Sequence, residues 1–199
     1  NNHQFVRGRN ASGFEFDTTI TYGSIALPRL ATSLQLHDGL YFFHNVSRGA
    51  SNPTVFEMID QENNTYNFNL QAERGLSQEL GIKQYIPRIG LTYSISVYDF
   101  KLEDAILPTT IASGPNAGIQ LYNNIGSTNQ QGLEWAFQWK LDDIYQQLDI
   151  RLWNNGTLNH YRFGDYVVNE SSLLDNALPG VPAAQVTSGI GVGSEVWNI

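Results

Sequence analysis

The chain has 199 residues, a net charge of −8 and no run of basic residues, which argues against binding to the phosphate backbone of nucleic acids. Cysteine is absent, which excludes a disulfide framework, a thiolate metal site and a cysteine nucleophile. Charged residues make up only 15% of the chain and aromatic residues 12%, a composition typical of strands and turns. No segment approaches the roughly 18 consecutive apolar residues of a membrane-spanning helix.

Residues 1–50 contain three strand candidates. Apolar and polar residues alternate over 14–22 and again over 30–36, the period of a strand with two different faces. Asp38-Gly39 is a hairpin turn signal, and the aromatic segment 40–46 follows it. The best helical pattern, at 53–61, is short, and we interpret it as a turn within a loop.

The strongest alternation is "QGLEWAFQWKL" at 131–141, where every second residue is large and apolar. Further strand candidates lie at 77–83, 91–97, 148–152 and 185–193. Together these patterns predict an all-β protein with about eight or nine strands and no helix.

The connections between these strands alternate in length. Short connections lie at 38–39, 84–90 and 142–146, and long polar ones at 48–76, 103–130 and 161–184. In an antiparallel up-and-down array, this alternation places every long loop at one end. Outer-membrane barrels have that asymmetry, so we predict an antiparallel up-and-down transmembrane β-barrel segment.

In such a barrel the apolar rows face lipid and the polar rows face the inside. We expect the rings of Tyr22, Tyr41 and Tyr98, near strand ends, to belong to aromatic girdles at the membrane interfaces. The residues predicted to face lipid are Leu133, Trp135, Phe137, Trp139, Leu141, Leu91, Tyr93, Ile95 and Val97.

Three stretches carry a family resemblance: "PRLATSLQLHDGLYFFHNVSRGASNPTVFEMI" at 28–59, "NLQAERGLSQELGIKQYIPRIGLTYSISVYDFKLEDAIL" at 69–107, and "LYNNIGSTNQQGLEWAFQW" followed by "YRFGDYVVN" and "LPGVPAAQV". These stretches resemble hairpins of the TonB-dependent outer-membrane receptors. The resemblance extends in order from about Pro28 to Val192 and is closest to receptors for iron complexes and siderophores.

The resemblance implies a barrel of about 22 strands preceded by a plug domain. Residues 1–199 would then be part of that barrel domain, without the plug and the terminal strands. Such a segment has free sheet edges, which lipid does not tolerate. It would need further strands, a partner chain, or closure into a small barrel.

The resemblance also implies a function without catalysis. The chain would supply barrel wall and extracellular loops to a receptor in the bacterial outer membrane, which takes up a metal chelate such as a ferric siderophore. TonB would supply energy through the plug, with no catalytic residues, protein-bound metal or cofactor. Cationic and aromatic side chains suit anionic iron chelates, and the candidates are Arg48, Arg74, Tyr122, Tyr161 and Arg162.

A soluble β-sandwich that binds carbohydrate is the alternative. Trp135, Trp139 or Trp153 would stack on sugar rings, and the apolar row at 131–141 would lie in a core or on a binding face. The four histidines, His3, His37, His44 and His160, lack metal-ligand spacing.

Overall fold

The computed structural model describes residues 2–9, 15–22, 24–63, 65–145, 148–168 and 171–193. These residues form strands, turns and one 3-10 turn, Pro87–Ile89, and they contain no α-helix. None of their helical segments is long and apolar enough to cross a membrane. The prediction of an all-β chain is confirmed.

The described residues form fourteen strands in chain order. They are β1 (Asn2–Arg9), β2 (Glu15–Tyr22), β3 (Arg29–His37), β4 (Leu40–Ser51), β5 (Ile59–Asp60), β6 (Thr65–Tyr66), β7 (Glu73–Ile86), β8 (Leu91–Glu103), β9 (Ile106–Thr110), β10 (Gln120–Asn124), β11 (Gly126–Tyr145), β12 (Leu148–Val168), β13 (Ser171–Ser172) and β14 (Ala184–Gly193). Eight of the nine strands longer than five residues coincide with predicted strands, and β1 was not predicted.

The main sheet is an antiparallel up-and-down array in the order β3–β4–β7–β8–β11–β12–β14, and β13 pairs with the far end of β12. Three further pairs, β1 with β2, β5 with β6, and β9 with β10, form two-stranded sheets of their own. Within the described ranges the edge strands β3 and β14 do not pair with each other, so the sheet is open.

Short and long connections separate to opposite ends of the sheet, as predicted. Gly39 and Gly90 occupy the two short turns with φ of +72° and +65°, a region that favours glycine. The carbonyl of each turn glycine accepts a backbone hydrogen bond from the neighbouring strand of the main sheet. The Tyr85 N–H donates to the Gly39 oxygen and the Lys140 N–H to the Gly90 oxygen, both at 2.9 Å. The predicted turn at 142–146 lies partly outside the described residues.

The strands are longer at the other end than the sequence predicted. β11 has 20 residues and β12 has 21, about twice the 9–11 residues that span a bilayer. Residues 48–51, 73–76, 126–130 and 161–168 were assigned to loops, and all of them continue strands. Apolar alternation ends before these strands do, as expected for strands that continue past a hydrocarbon layer, where both faces would meet water.

Register divides the side chains of the main sheet into an apolar face and a polar face. Directly opposed residues of antiparallel strands point to the same side. One row of the apolar face consists of Leu34, Phe42, Ile82, Ile95, Trp135, Gly156 and Val186. The adjacent row of the polar face consists of Ser33, Phe43, Gly81, Ser96, Glu134, Thr157 and Gln185.

The apolar face is uncovered. Leu34 is 56% exposed, Val97 48%, Trp139 42% and Phe137 37%. A sandwich would bury these side chains against a second sheet. The alternative prediction of a soluble β-sandwich is therefore wrong, because within the described residues no second sheet packs over the face that would have to form its core.

Polar groups on the apolar face bond to one another. The Trp135 Nε1–H donates to Asn154 Oδ1 at 2.6 Å, and Asn154 Nδ2 donates to Ser188 Oγ at 2.7 Å. The Tyr93 hydroxyl donates to Gln84 Oε1 at 2.6 Å. Cross-strand pairs such as these keep polar atoms satisfied where no water is available.

Aromatic rings cover glycines on neighbouring strands. A Cβ on Gly81, Gly132 or Gly189 would overlap a ring on the polar face, and one on Gly156 would overlap Trp135 on the apolar face. Rings over glycines hold strand register in curved sheets. The polar-face rings belong to Phe43, Tyr98 and Trp153.

Two aromatic assignments from the sequence are wrong. Tyr41 opposes Lys83 and Tyr98 opposes Gly132, so both rings lie on the polar face rather than in a lipid-facing girdle. Each tyrosine directly adjoins a residue of the apolar face in sequence, and strand parity therefore places it on the opposite side. The side chain of Tyr22 lies outside the described residues.

The fully buried apolar side chains lie in the long connections rather than in the main sheet. Met58, at 0% exposure, packs with Leu70 and Ile106, and Tyr66 and Tyr122 pack against them. These residues come from the segments 52–72 and 104–125, which follow β4 and β8 respectively. A small shared core therefore joins the two connections, and we call it the loop core.

Opposite effects are expected from neighbouring substitutions in β11. Phe137→Arg places a charge on the apolar face and should cost about 2–4 kcal/mol if that face meets hydrocarbon near the bilayer midplane. Gln138→Lys, on the polar face, should be tolerated. Unfolding of the full-length protein from phospholipid vesicles measures both, and equal destabilisation by the two variants would refute the assignment of the faces.

Removing Met58 should loosen both long connections together. Met58→Ala leaves a cavity that costs about 2–5 kcal/mol in a well-packed core, and hydrogen exchange should rise in both 52–72 and 104–125. Val55→Ala is the control, since Val55 is 41% exposed and outside the loop core. A rise confined to 52–72 would show that the connections are independent.

Candidate functional site

The candidate site lies at the end of the sheet that carries the long connections. Asn124 of β10 joins them there with three hydrogen bonds. Its Oδ1 accepts from the Gln71 N–H at 2.7 Å, and its Nδ2 donates to the Gln71 and Asp104 carbonyls at 2.9 and 2.7 Å. The Ile106 N–H donates to Glu73 Oε1 at 2.9 Å. The loop core and these bonds hold the two connections in one arrangement.

Two aromatic pairs lie on the loop core and remain partly open to solvent. Phe56, 61% exposed, meets Tyr122 edge to face with ring centroids 5.8 Å apart. Phe68, 44% exposed, stacks on Tyr66 at 6.0 Å. Exposed rings on a fixed support can bind a planar or aromatic ligand with little loss of side-chain entropy.

A tyrosine cluster lies on the polar face below these connections. The Tyr98 hydroxyl is 2.8 Å from the Tyr161 hydroxyl and 2.8 Å from Asn159 Oδ1, which also accepts from the Thr157 hydroxyl at 2.7 Å. The two tyrosine rings meet at 80° with centroids 6.4 Å apart. The cluster fixes the side chains of β8 and β12 across the intervening β11.

Further towards the short turns, the polar face has a groove of about 600 Å³. Both charged and neutral hydrogen-bonding groups line it, chiefly Lys83, Ser94, Gln138, Arg151 and Asn155. A water-filled lumen with polar walls is expected inside a wide barrel.

The structure separates the five predicted ligand contacts into three places. Tyr161 lies on the polar face in the tyrosine cluster, and Tyr122 packs on the loop core. Arg48, Arg74 and Arg162 lie on strands rather than loops, and register places them on the same face as the apolar rows. Arg162 donates from Nη1 to the Asp175 carbonyl at 3.0 Å.

The nine residues predicted to face lipid share one face. Leu91, Tyr93, Ile95 and Val97 of β8 oppose β11 residues of the same set, and Leu141 continues the β11 row opposite Ile150. That this face meets lipid stays a prediction. Trp135 and Trp139 are on it, whereas Trp153 is on the polar face.

Among the described residues, no cluster of histidine and carboxylate side chains could hold a metal ion. His44 and His160 both lie on the apolar side of the sheet but on the separate strands β4 and β12, and the His3 side chain is outside the described residues.

Four features of the site were not predicted from the sequence: the loop core, Phe56, Asn124 and the hydrogen bond between Tyr98 and Tyr161. The loop-core contacts join residues far apart in sequence, so no local pattern reports them. The face of Tyr98 was predictable from the sequence, because Tyr98 immediately follows the apolar-face residue Val97 in an alternating strand.

The chain matches one known protein family. The family described as TonB dependent receptor-like, beta-barrel matches residues 1–198. No curated protein sequence matches the chain. Among solved structures, the siderophore receptor PirA from Acinetobacter baumannii is similar with a TM-score of 0.48 and 15% identity.

That similarity covers 91% of this chain but only 36% of the PirA chain, so the present chain spans about a third of the receptor's length. The family match, by contrast, extends over nearly every residue. The chain therefore belongs to the TonB-dependent receptor-like β-barrel family.

Proposed function

We propose that this chain is wall and loop structure of an outer-membrane receptor that takes up a metal chelate such as a ferric siderophore. TonB energises uptake through a plug domain. The family match over residues 1–198 carries the proposal, and the division of the sheet into an apolar and a polar face supports it. No bond is made or broken in this function, so the chain contributes no catalytic residue.

In this proposal the apolar face contacts the hydrocarbon of the outer membrane and the polar face lines the lumen. The open edges at β3 and β14 pair with further strands of a larger barrel of about 22 strands. Backbone groups at an open edge have no partner in hydrocarbon, and this cost favours a larger barrel over an isolated sheet.

The ligand is recognised at the end with the long connections. Phe56 and Tyr122 offer rings on the loop core, and Tyr161 offers a hydroxyl beside Tyr98 on the lumen side. Aromatic rings and phenol groups suit chelates with planar ligands. We retain Tyr122 and Tyr161 as ligand contacts, and we assign Arg48, Arg74 and Arg162 to the outer wall.

The test is uptake of radioactive iron by cells that depend on the full-length receptor. Three iron probes cover the main chelate chemistries: a ferric catecholate, a ferric hydroxamate and ferric citrate. Deleting the receptor gene should abolish uptake of at least one probe, and deleting TonB should abolish the same uptake. Uptake of all three probes unchanged by the receptor deletion would contradict an iron-chelate receptor.

Substitution of the aromatic pair refines that test. Tyr122→Ala with Phe56→Ala should weaken binding of the transported probe about tenfold or more, since stacked rings contribute about 0.5–1.5 kcal/mol each beyond area burial. Val55→Ala is the matched control in the same connection. Equal binding of the probe by the wild type, the double variant and the Val55→Ala control would exclude this ring pair as a contact.

A further inference from the structure

Basic side chains gather on the apolar side of the sheet just beyond the apolar rows. One row across five strands consists of Arg48, Leu76, Lys101, Asn129 and Arg162. Arg74 lies two residues above Leu76 on the same strand and face. Neighbouring strands lie about 4.8 Å apart, so Arg48 and Lys101 flank Leu76 with Cα atoms roughly 10 Å apart. We call Arg48, Arg74 and Lys101 the basic cluster.

The basic cluster has no ion-pair partner in the part of the chain that the structure describes. All three side chains are exposed. Two carboxylates share this face: Asp99, which accepts from Gln131 Nε2 at 2.7 Å, and Glu103, which opposes Arg74 in register. Three cations beside two carboxylates form a local positive excess in a chain of net charge −8.

A cavity of about 220 Å³ lies at the basic cluster. Arg48 and Arg74 line it together with Gly49 and the segment 24–27 before β3. The Arg48 N–H donates to the Pro28 carbonyl at 2.9 Å, which holds that segment beside β4. Two arginine residues at one concave site, neither in an ion pair within the described residues, suit a phosphate group.

The Cα atoms of Arg48 and Lys101 lie roughly 5–10 Å beyond the apolar rows, at or just beyond the headgroup layer of a membrane. Lys101 lies four residues beyond Val97, which is about 10 Å at ordinary strand rise and barrel tilt. Arg48 lies two residues beyond Val46, about 5 Å by the same measure. The headgroup region is roughly 5–8 Å thick on each side, and long basic side chains bend towards it.

We propose that the basic cluster binds the phosphate groups of an outer-leaflet lipid whose acyl chains lie along the apolar face of β4, β7 and β8. Basic clusters beside membrane-spanning segments recognise anionic lipid in this way. The inference rests on the outer-membrane location proposed above, but it is independent of which ligand the receptor transports.

The experiment uses the full-length receptor, purified in neutral detergent and mixed with lipid A that carries both phosphates. The triple variant Arg48→Gln, Lys101→Gln, Arg74→Gln should bind it at least about tenfold more weakly than the wild type. The matched control changes three cations of the polar face, Arg29→Gln, Lys83→Gln and Arg151→Gln. Arg29 lies at the height of Arg48, since it opposes Ser47.

Two further probes identify the source of the phosphate. Dephosphorylated lipid A should bind the wild type about as weakly as phosphorylated lipid A binds the cluster variant. Millimolar inorganic phosphate should not displace the lipid. Equal lipid binding by the two triple variants, or full displacement by inorganic phosphate, would overturn the inference.

Folding and location are controlled separately. Should the triple variant fail to fold, Arg48→Gln and Lys101→Gln alone should each weaken binding several-fold, and unchanged binding by both would overturn the inference. Membrane fractionation of the wild type tests the location independently. A receptor absent from the outer membrane refutes the proposed function, whereas unaltered lipid binding by the variants refutes only the basic cluster.

Discussion

The structure depends on the cross-strand hydrogen bonding of one continuous antiparallel sheet, in which neighbours in sequence are neighbours in space. That ladder satisfies the backbone of β4, β7, β8, β11 and β12 without water, the condition for crossing hydrocarbon. It also fixes register, and register alone sorts side chains into an apolar and a polar face. A one-residue slip would exchange the two faces, so rings over glycines and paired polar groups have a stabilising role beyond their local contacts.

The sheet and the long connections follow different physical rules. The main sheet leaves the large apolar side chains of one face exposed, whereas the connections bury Met58, Leu70 and Ile106 as a water-soluble domain would. The change occurs along single strands, because β11 and β12 extend well past the apolar rows. In the proposed membrane location, a wall that continues past the apolar rows supports the long connections at a fixed distance from the lipid and brings Lys101 near the lipid headgroups.

Strand centres were predictable from the sequence because alternation reports a contrast between two environments. Strand ends were not predictable, since polar residues occupy both faces there, as Asn129 does on one face and Tyr161 on the other. The alternation of faces along a strand could have placed Arg48 and Arg162 on the apolar face, because they lie two residues beyond Val46 and four residues beyond Leu158 on the same strands. The loop core was not predictable from local sequence patterns, because only the adjacency of β4, β7 and β8 brings Met58 and Ile106 together.

Contact of the apolar face with lipid can be measured directly, residue by residue. The chain has no cysteine, so single cysteines introduced in the full-length receptor can carry spin labels without background from this segment. Labels at Val97 and Phe137 should collide readily with oxygen dissolved in the bilayer, while labels at Ser96 and Gln138 should collide with a water-soluble nickel chelate. The reverse pattern, or equal access at all four positions, would contradict the account.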